Sequence, residues 1–160
     1  KGDLVDPLKA LEMGQQGDVI VVDAGGDLNT SVCGGLMGGL AQNRGIRGMI
    51  VDGAGRDTDE LEEIDWPIWT RAITPRGTHT MFSERREELS INVPIACGGV
   101  VVNPGDFIVA DLMGVVVVPL ESAEEVVRLA QEQADREVAT RAWVAQGKTV
   151  EDLLNEFGRI

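Results

Sequence analysis

Two runs rich in β-branched residues, Asp18-Val19-Ile20-Val21-Val22-Asp23-Ala24 and Gly48-Met49-Ile50-Val51-Asp52-Gly53, constrain this chain more than any other feature. Neither alternates apolar with polar residues, as a strand with one wet face would, so both read as strands covered on both sides. The span from about Cys33 to Asn43 between them has a helical pattern bounded by Gly45. The three pieces form a β-α-β unit, and the parallel pairing this implies sets the architecture. Ahead of it, Pro7 to Met13 reads as a short helix closed by Gly14. Behind it, residues 66–73, 91–97, 100–102, 107–110 and 115–118 read as further short strands. Pro75, Gly77, Gly98-Gly99 and Pro104-Gly105-Asp106 punctuate them.

The C-terminal part changes character. Ser122-Ala123-Glu124-Glu125 has the spacing of a capping box and opens a long amphipathic helix to about Gln146, where Gly147 ends it. Thr149 to Asp152 reads as a weaker cap for a last helix carrying Val150, Leu153, Leu154 and Phe157. With 160 residues, 43% of them hydrophobic, and no internal repeat or linker, the expectation is a single domain over 1–160. The chain opens on Lys1-Gly2-Asp3-Leu4 with a helical stretch close behind, as though entered in mid-domain, so an N-terminal segment is expected to be missing.

A formal charge of −13 leaves no basic stripe to neutralise phosphates, which argues against nucleic acid or an anionic membrane as a direct partner. No apolar run reaches the roughly 18 to 20 residues that a membrane helix needs. Cys33 and Cys97 form neither a disulfide framework nor a Cys-x-x-Cys metal spacing, which fits a reducing cytoplasm. Both read as small buried residues.

Two constellations could carry chemistry. Residues 25–39 hold six glycines after a strand and around a helix start, among them Gly34-Gly35-Leu36-Met37-Gly38-Gly39. Backbone amides there could converge on an anion, or the glycines could simply permit close helix-to-strand packing. A nucleotide P-loop is excluded because no G-x-x-x-x-G-K-[ST] is present, and no clean G-x-G-x-x-G follows the strand. In the second constellation, Val51-Asp52-Gly53-Ala54-Gly55-Arg56-Asp57-Thr58-Asp59-Glu60, a strand delivers a guanidinium and three carboxylates into the following turn. Carboxylates select a hard cation such as Mg²⁺ or Mn²⁺, and Arg56 could fork onto a substrate carboxylate or an enolate oxygen. The plainer alternative has Asp57 capping the next helix and pairing with Arg56 at the surface. His79, the only histidine, sits in a polar loop and reads as solvated rather than catalytic. Arg71 and Asp111 stand at strand ends, and residues 84–88 read as a solvated or subunit-contact face.

Gly17 to Gly26, Gly34-Gly35-Leu36-Met37, Arg44-Gly45, Val51-Asp52-Gly53, Arg56-Asp57, Ile91-Asn92-Val93-Pro94, Gly98-Gly99-Val100, Pro104-Gly105-Asp106 and Gly114 to Pro119 follow one another in a particular order and spacing. In this the chain resembles the 4-hydroxy-4-methyl-2-oxoglutarate aldolase family, which also contains proteins named regulator of ribonuclease E activity A and oxaloacetate decarboxylases. The resemblance implies an α/β fold, a swivelling β/β/α-type domain with mixed sheets and a long C-terminal helix. It implies homotrimers or hexamers with sites between subunits. It also implies roles: amides of Gly34, Gly35, Leu36 and Met37 on the pyruvyl carboxylate, Arg56 on the substrate and Asp57 on the metal. Established aldolases of the family carry an acid where this chain has Gly35. The pattern Gly35, twenty residues, Arg56-Asp57, two residues, Glu60 resembles the variant in which a downstream acid supports the metal's water shell, which makes Glu60 the candidate for that role. The expected activity is metal-dependent cleavage of a small 2-oxo acid, by aldol cleavage or by decarboxylation of oxaloacetate. A non-catalytic regulator of a ribonuclease is the alternative. A methyltransferase reading finds no glycine-rich cofactor signature to support it.

Overall fold

A computed structural model describes residues 5–77 and 90–158, and within them the chain divides into two compact units, Lys1–Val117 and Val118–Ile160. His79 and residues 84–88 lie outside the described residues.

The first unit opens with α1 (Val5–Met13), followed by β1 (Val19–Asp23), α2 (Gly35–Asn43), β2 (Gly48–Gly55), α3 (Thr58–Glu63) and β3 (Ile68–Ile73). The strands form one parallel sheet in the order β1-β2-β3, with Val19 opposite Gly48 and Met49 opposite Ile68. The β-α-β unit is therefore present. It is extended by a second crossover through α3. Met49 and Val51 on β2 face the core with Ala41 of α2, Leu61 of α3, Trp66, Ile46, Cys33 and Leu11, all 3% exposed or less. Trp66 is locked there by its indole N–H, which donates to the Ile46 carbonyl at 2.8 Å. β2 is buried along almost its whole length, as its unbroken apolar run predicts, whereas β1, a sheet edge in this chain, is only half-buried.

Past the core the unit becomes antiparallel. β4 (Ile95–Cys97) and β5 (Val100–Val102) form a hairpin whose turn residues Gly98 and Gly99 both have positive φ, the geometry that a two-residue turn of this hand requires. β6 (Phe107–Asp111) pairs with β7 (Gly114–Val118). Asp52 ties the first hairpin to the parallel sheet, its carboxylate accepting the Gly98 N–H at 2.9 Å and the Arg71 Nε–H. The Trp69 indole N–H donates to the Asp111 carbonyl at 2.8 Å. Expected strand 91–97 shrinks to three residues because Asn92 takes a positive φ of 55° and Pro94 cannot donate to a ladder.

The second unit is helical: a 3₁₀ turn at Leu120–Ser122, then α4 (Ala123–Ala145) and α5 (Val150–Phe157). The long C-terminal helix is present, but the capping box expected at its start is not. Ser122 already has near-helical angles, φ −102° and ψ −2°, and donates its N–H to the Pro119 carbonyl, so its hydroxyl makes no cap bond. Glu125 pairs instead with Arg128. The cap expected to be weaker is complete. Thr149 Oγ1 accepts the Asp152 N–H at 3.2 Å, and Asp152 accepts the Thr149 N–H at 2.9 Å. Trp143 meets Phe157 edge to face at 5.4 Å, and Lys148 lies 5.3 Å over the Trp143 ring. Among the described residues no helix is long and apolar enough to cross a membrane.

Candidate functional site

The site forms where β2 stops behaving as a regular strand. Between Val51 and Ala54 its register against β3 shifts, so Asp52 and Gly53 face a single residue, Arg71. Such a bulge bends the strand and re-aims the residues beyond it. Past the bulge the end of β2 exchanges its partner for the segment 31–33. The Val32 N–H donates to the Ala54 carbonyl at 3.0 Å, and the Arg56 N–H donates to the Cys33 carbonyl at 3.0 Å. Ser31, 2% exposed, bridges both Ala54 and Gly77, and its hydroxyl donates to the Cys33 carbonyl at 2.9 Å. The start of α2 is thereby fastened beside the end of β2.

Asp57 turns the chain from strand into α3. It has φ 51° and ψ 44°, the left-handed region that Asp tolerates better than most side chains. The expected alternative, Asp57 as side-chain cap of α3, does not occur: the residue stands at the N-cap position but its carboxylate makes no cap bond. The carboxylate points back to α2, where Oδ2 accepts the Gly35 N–H at 3.2 Å and the Arg56 Nε–H at 3.1 Å. Arg56 and Asp57 side chains are 40% and 37% exposed, so water reaches both and the pair contributes little to stability. Its value lies in geometry.

What sits over the glycines decides how the site is built. A Cβ placed on Gly34 would collide with Asp57 Oδ2 and come within 2.8 Å of Arg56 Nε. One placed on Gly35 would collide with Glu60 Oε2 and lie 2.9 Å from its Cβ and Cδ. Gly34 has φ −151°, an extended conformation open to any residue, so the constraint here is close approach and not backbone freedom. The volume that a side chain at position 35 would fill is taken by the carboxylate of Glu60. Three of the predicted residues, Arg56, Asp57 and Glu60, thus converge on two others, Gly34 and Gly35. Leu36 and Met37 can take part only through their backbone: the Leu36 side chain is 84% exposed, and Met37 packs on the core. Helix geometry leaves their amides without an intrahelical carbonyl, whereas that of Gly35 is engaged by Asp57.

Among the described residues no three His, Cys, Asp or Glu side chains converge to hold a metal ion. Two carboxylates, from Asp57 and Glu60, do stand beside one helix start. Such a pair fits a hard cation that keeps much of its water and takes one or two protein carboxylates. Cys33, behind the site, is no nucleophile: burial pushes its thiol up to about 11. Arg71 pairs with Asp52, and the Asp111 carboxylate caps its own hairpin turn at Met113 and Gly114, so neither belongs to the site. Sequence reasoning missed the roles of Ser31, which bridges two segments, and Gly77, whose added Cβ would strike Arg56 Nη1. Neither residue falls in a spacing that announces chemistry.

Comparison with known proteins finds relatives of this chain. The pattern of the RraA-like family (Aldolase/RraA) matches residues 1–117, the same residues as the first compact unit. A Halalkalibacterium halodurans protein named putative 4-hydroxy-4-methyl-2-oxoglutarate aldolase is 42% identical over 142 residues, which are 88% of this chain and 65% of that protein. A Thermus thermophilus protein named 4-hydroxy-4-methyl-2-oxoglutarate aldolase is 38% identical over 111 residues, 69% of this chain and 65% of that one. The chain therefore spans just under two thirds of the length of these relatives. The solved structure of Streptomyces coelicolor RraAS2, described as an unusual member of the RNase ES inhibitor RraA protein family, superposes with a TM-score of 0.75. It is 36% identical, over 84% of this chain and 67% of that one. An uncharacterized protein from Pseudomonas syringae pv. tomato gives a TM-score of 0.81 at 30% identity, over 89% and 69% of the two chains.

Proposed function

The chain belongs to the RraA-like family, and from that premise we propose that it is a divalent-metal-dependent lyase that cleaves the C3–C4 bond of a small 2-oxo acid. The substrate is an aldol such as 4-hydroxy-4-methyl-2-oxoglutarate, or oxaloacetate. The observation that carries the reading is the convergence of Arg56, Asp57 and Glu60 over Gly34 and Gly35. A pure docking module has no need of such a convergence.

The first-turn amides of Leu36 and Met37 receive the substrate carboxylate at the positive end of α2. In aldol cleavage the C4 hydroxyl loses its proton, the C3–C4 bond breaks, and its electron pair moves through C2 to the keto oxygen. In decarboxylation the same pair is released as CO₂ departs. Either way an enolate of pyruvate results, and protonation at C3 completes the turnover. A Mg²⁺ or Mn²⁺ ion, held by Asp57 directly and by Glu60 through water, would supply Lewis-acid charge at the keto oxygen. Arg56 adds a fixed positive charge for the enolate, and its bond to Asp57 keeps that charge from swinging into solvent. The proton delivered to C3 is assigned to a water oriented by Glu60, whose carboxylate lies against the Gly35 helix start. That carboxylate occupies the space of an acid at position 35, which supports the reading of Glu60 as its replacement.

Assembly into a homotrimer or hexamer is part of the same proposal. Val100, Val101, Phe107, Val109, Leu112 and Val116 are all more than half exposed, apolar side chains that a neighbouring subunit would cover. The test is pyruvate release from oxaloacetate and from the aldol, with Mg²⁺ or Mn²⁺ and with EDTA. Wild-type protein is expected to be active only with metal, and Asp57→Ala and Arg56→Ala inactive but folded. A folded wild type that yields no pyruvate from either substrate would sink the enzymatic reading. A second reading, inhibition of a ribonuclease, draws on the description of the Streptomyces neighbour and on the acidic charge of −13. Co-purification with a ribonuclease in the absence of turnover would favour it.

A further inference from the structure

We infer that Gly77 is a positioning residue for Arg56, keeping open the space into which the guanidinium extends. The inference rests on the lyase reading for its catalytic consequence, but not for its geometry. Gly77 lies outside the helix-start glycines and outside every residue that the family resemblance brings to the site. A Cβ built on it would collide with Arg56 Nη1 and lie 3.5 Å from Cζ. Its φ is not in the left-handed region, so the backbone itself does not call for glycine. The position is fixed from the other side, because Ser31 bridges Gly77 and donates its N–H to the Arg76 carbonyl at 2.8 Å. Thr74 donates to the Gly55 carbonyl at 2.9 Å, one residue before Arg56. The segment 74–77 is thus a wall of fixed distance along the guanidinium. Gly34 lies against the root of the same side chain, its ideal Cβ 2.9 Å from Arg56 Cγ. With Gly34 and Gly77 close to its Cγ and Nη1 and its Nε bonded to Asp57, Arg56 follows a path that a methyl on either glycine would block.

This placement separates function from folding. The group displaced by a methyl at position 77 is the far end of a flexible, part-exposed side chain, so the fold yields at little cost while Arg56 must leave its place. Three measurements on Gly77→Ala test the inference. The thermal midpoint should stay within about 2 °C of wild type, since no buried group is lost. The Nε–H resonance of Arg56, observed by ¹⁵N NMR, should move or broaden. For oxaloacetate with Mn²⁺, kcat/KM should fall about tenfold or more, chiefly in kcat if Arg56 acts on the enolate. Against an Arg56→Lys background, whose shorter ammonium does not reach the wall, Gly77→Ala should change turnover less than about twofold. An unmoved Arg56 resonance with wild-type turnover overturns the inference, as does an equal loss in the Arg56→Lys background, which would mark a general structural defect. If wild type has no lyase activity the proposed function fails, and the Arg56 resonance alone then decides the positioning role.

Discussion

Gly38→Ala should destabilise the protein, although the same change at an ordinary helix position would stabilise it. Gly38 lies within α2, where alanine is favoured over glycine by about 1 kcal/mol. Opposing that gain, the new methyl would collide with Leu61 Cδ2 and come within 3.0 Å of Trp66 Cε3. Leu61 and Trp66 are 2% and 3% exposed, and the Trp66 indole is bonded to the Ile46 carbonyl, so neither can swing into solvent. Overpacking of this kind costs about 1–3 kcal/mol, which leaves a net loss of up to about 2 kcal/mol. For a chain of this size each kcal/mol lowers the midpoint by about 2–4 °C. The decisive comparison reverses the sign. Leu61→Ala alone should cost about 2–5 kcal/mol through its cavity. In that background Gly38→Ala no longer meets Leu61 Cδ2 and keeps only the 3.0 Å contact with Trp66, so it fills part of the cavity and recovers the helix preference, and the double variant should be more stable than Leu61→Ala by up to about 1 kcal/mol. Urea denaturation followed by far-UV circular dichroism measures all four corners. A Gly38→Ala variant more stable than wild type would refute the close packing of α2 on α3 on which the site depends.

Acid should loosen the β4–β5 hairpin before the parallel sheet. The Gly98 N–H, followed by Arg71, holds the Asp52 carboxyl below the ordinary carboxylate value, so its stabilisation is present above about pH 3.9 and is lost as pH falls through the depressed folded value. Asp52→Asn should flatten that acid limb and speed amide exchange at Gly98, and an unchanged limb would remove Asp52 from the account. Thr149→Ala deletes a reciprocal cap and should cost about 1 kcal/mol, seen as faster amide exchange within α5 but not within α2.

Much of the architecture is legible in the chain because one physical signal governs it. β2 is covered on both faces and reads as an unbroken apolar run, and α2 and α3 pack their apolar positions on it. Where that signal competes with backbone detail, the reading slips. Ser122 and Thr149 both carry cap spacing, yet the choice between them turns on whether the residue before the helix is extended. Pro119 and the 3₁₀ turn settle that against Ser122. β1 has the composition of a buried strand and an edge position in this chain, a contrast that composition cannot register.

The site divides along the same line. Arg56, Asp57 and Glu60 are visible in sequence because charge after a buried strand is unusual and because their spacing from Gly35 matches a family. What the spacing does not convey is that the glycines are the complement of those charges. Gly34 makes room for Asp57 and Arg56, Gly35 for Glu60, and Gly77 for the tip of Arg56. Glycine is most often read as freedom of the backbone, but none of these three has a positive φ. At each, a charged side chain from another segment occupies the volume where its own would stand. An acid at position 35 and an acid at position 60 are therefore alternatives competing for one space. Gly35→Asp alone should expel the Glu60 carboxylate, while Gly35→Asp combined with Glu60→Gly should accommodate the new acid. Metal-dependent turnover that is lost in the single variant and regained in the double one would identify a shared position. Equal loss in both would show that Glu60 acts from a place that residue 35 cannot reach.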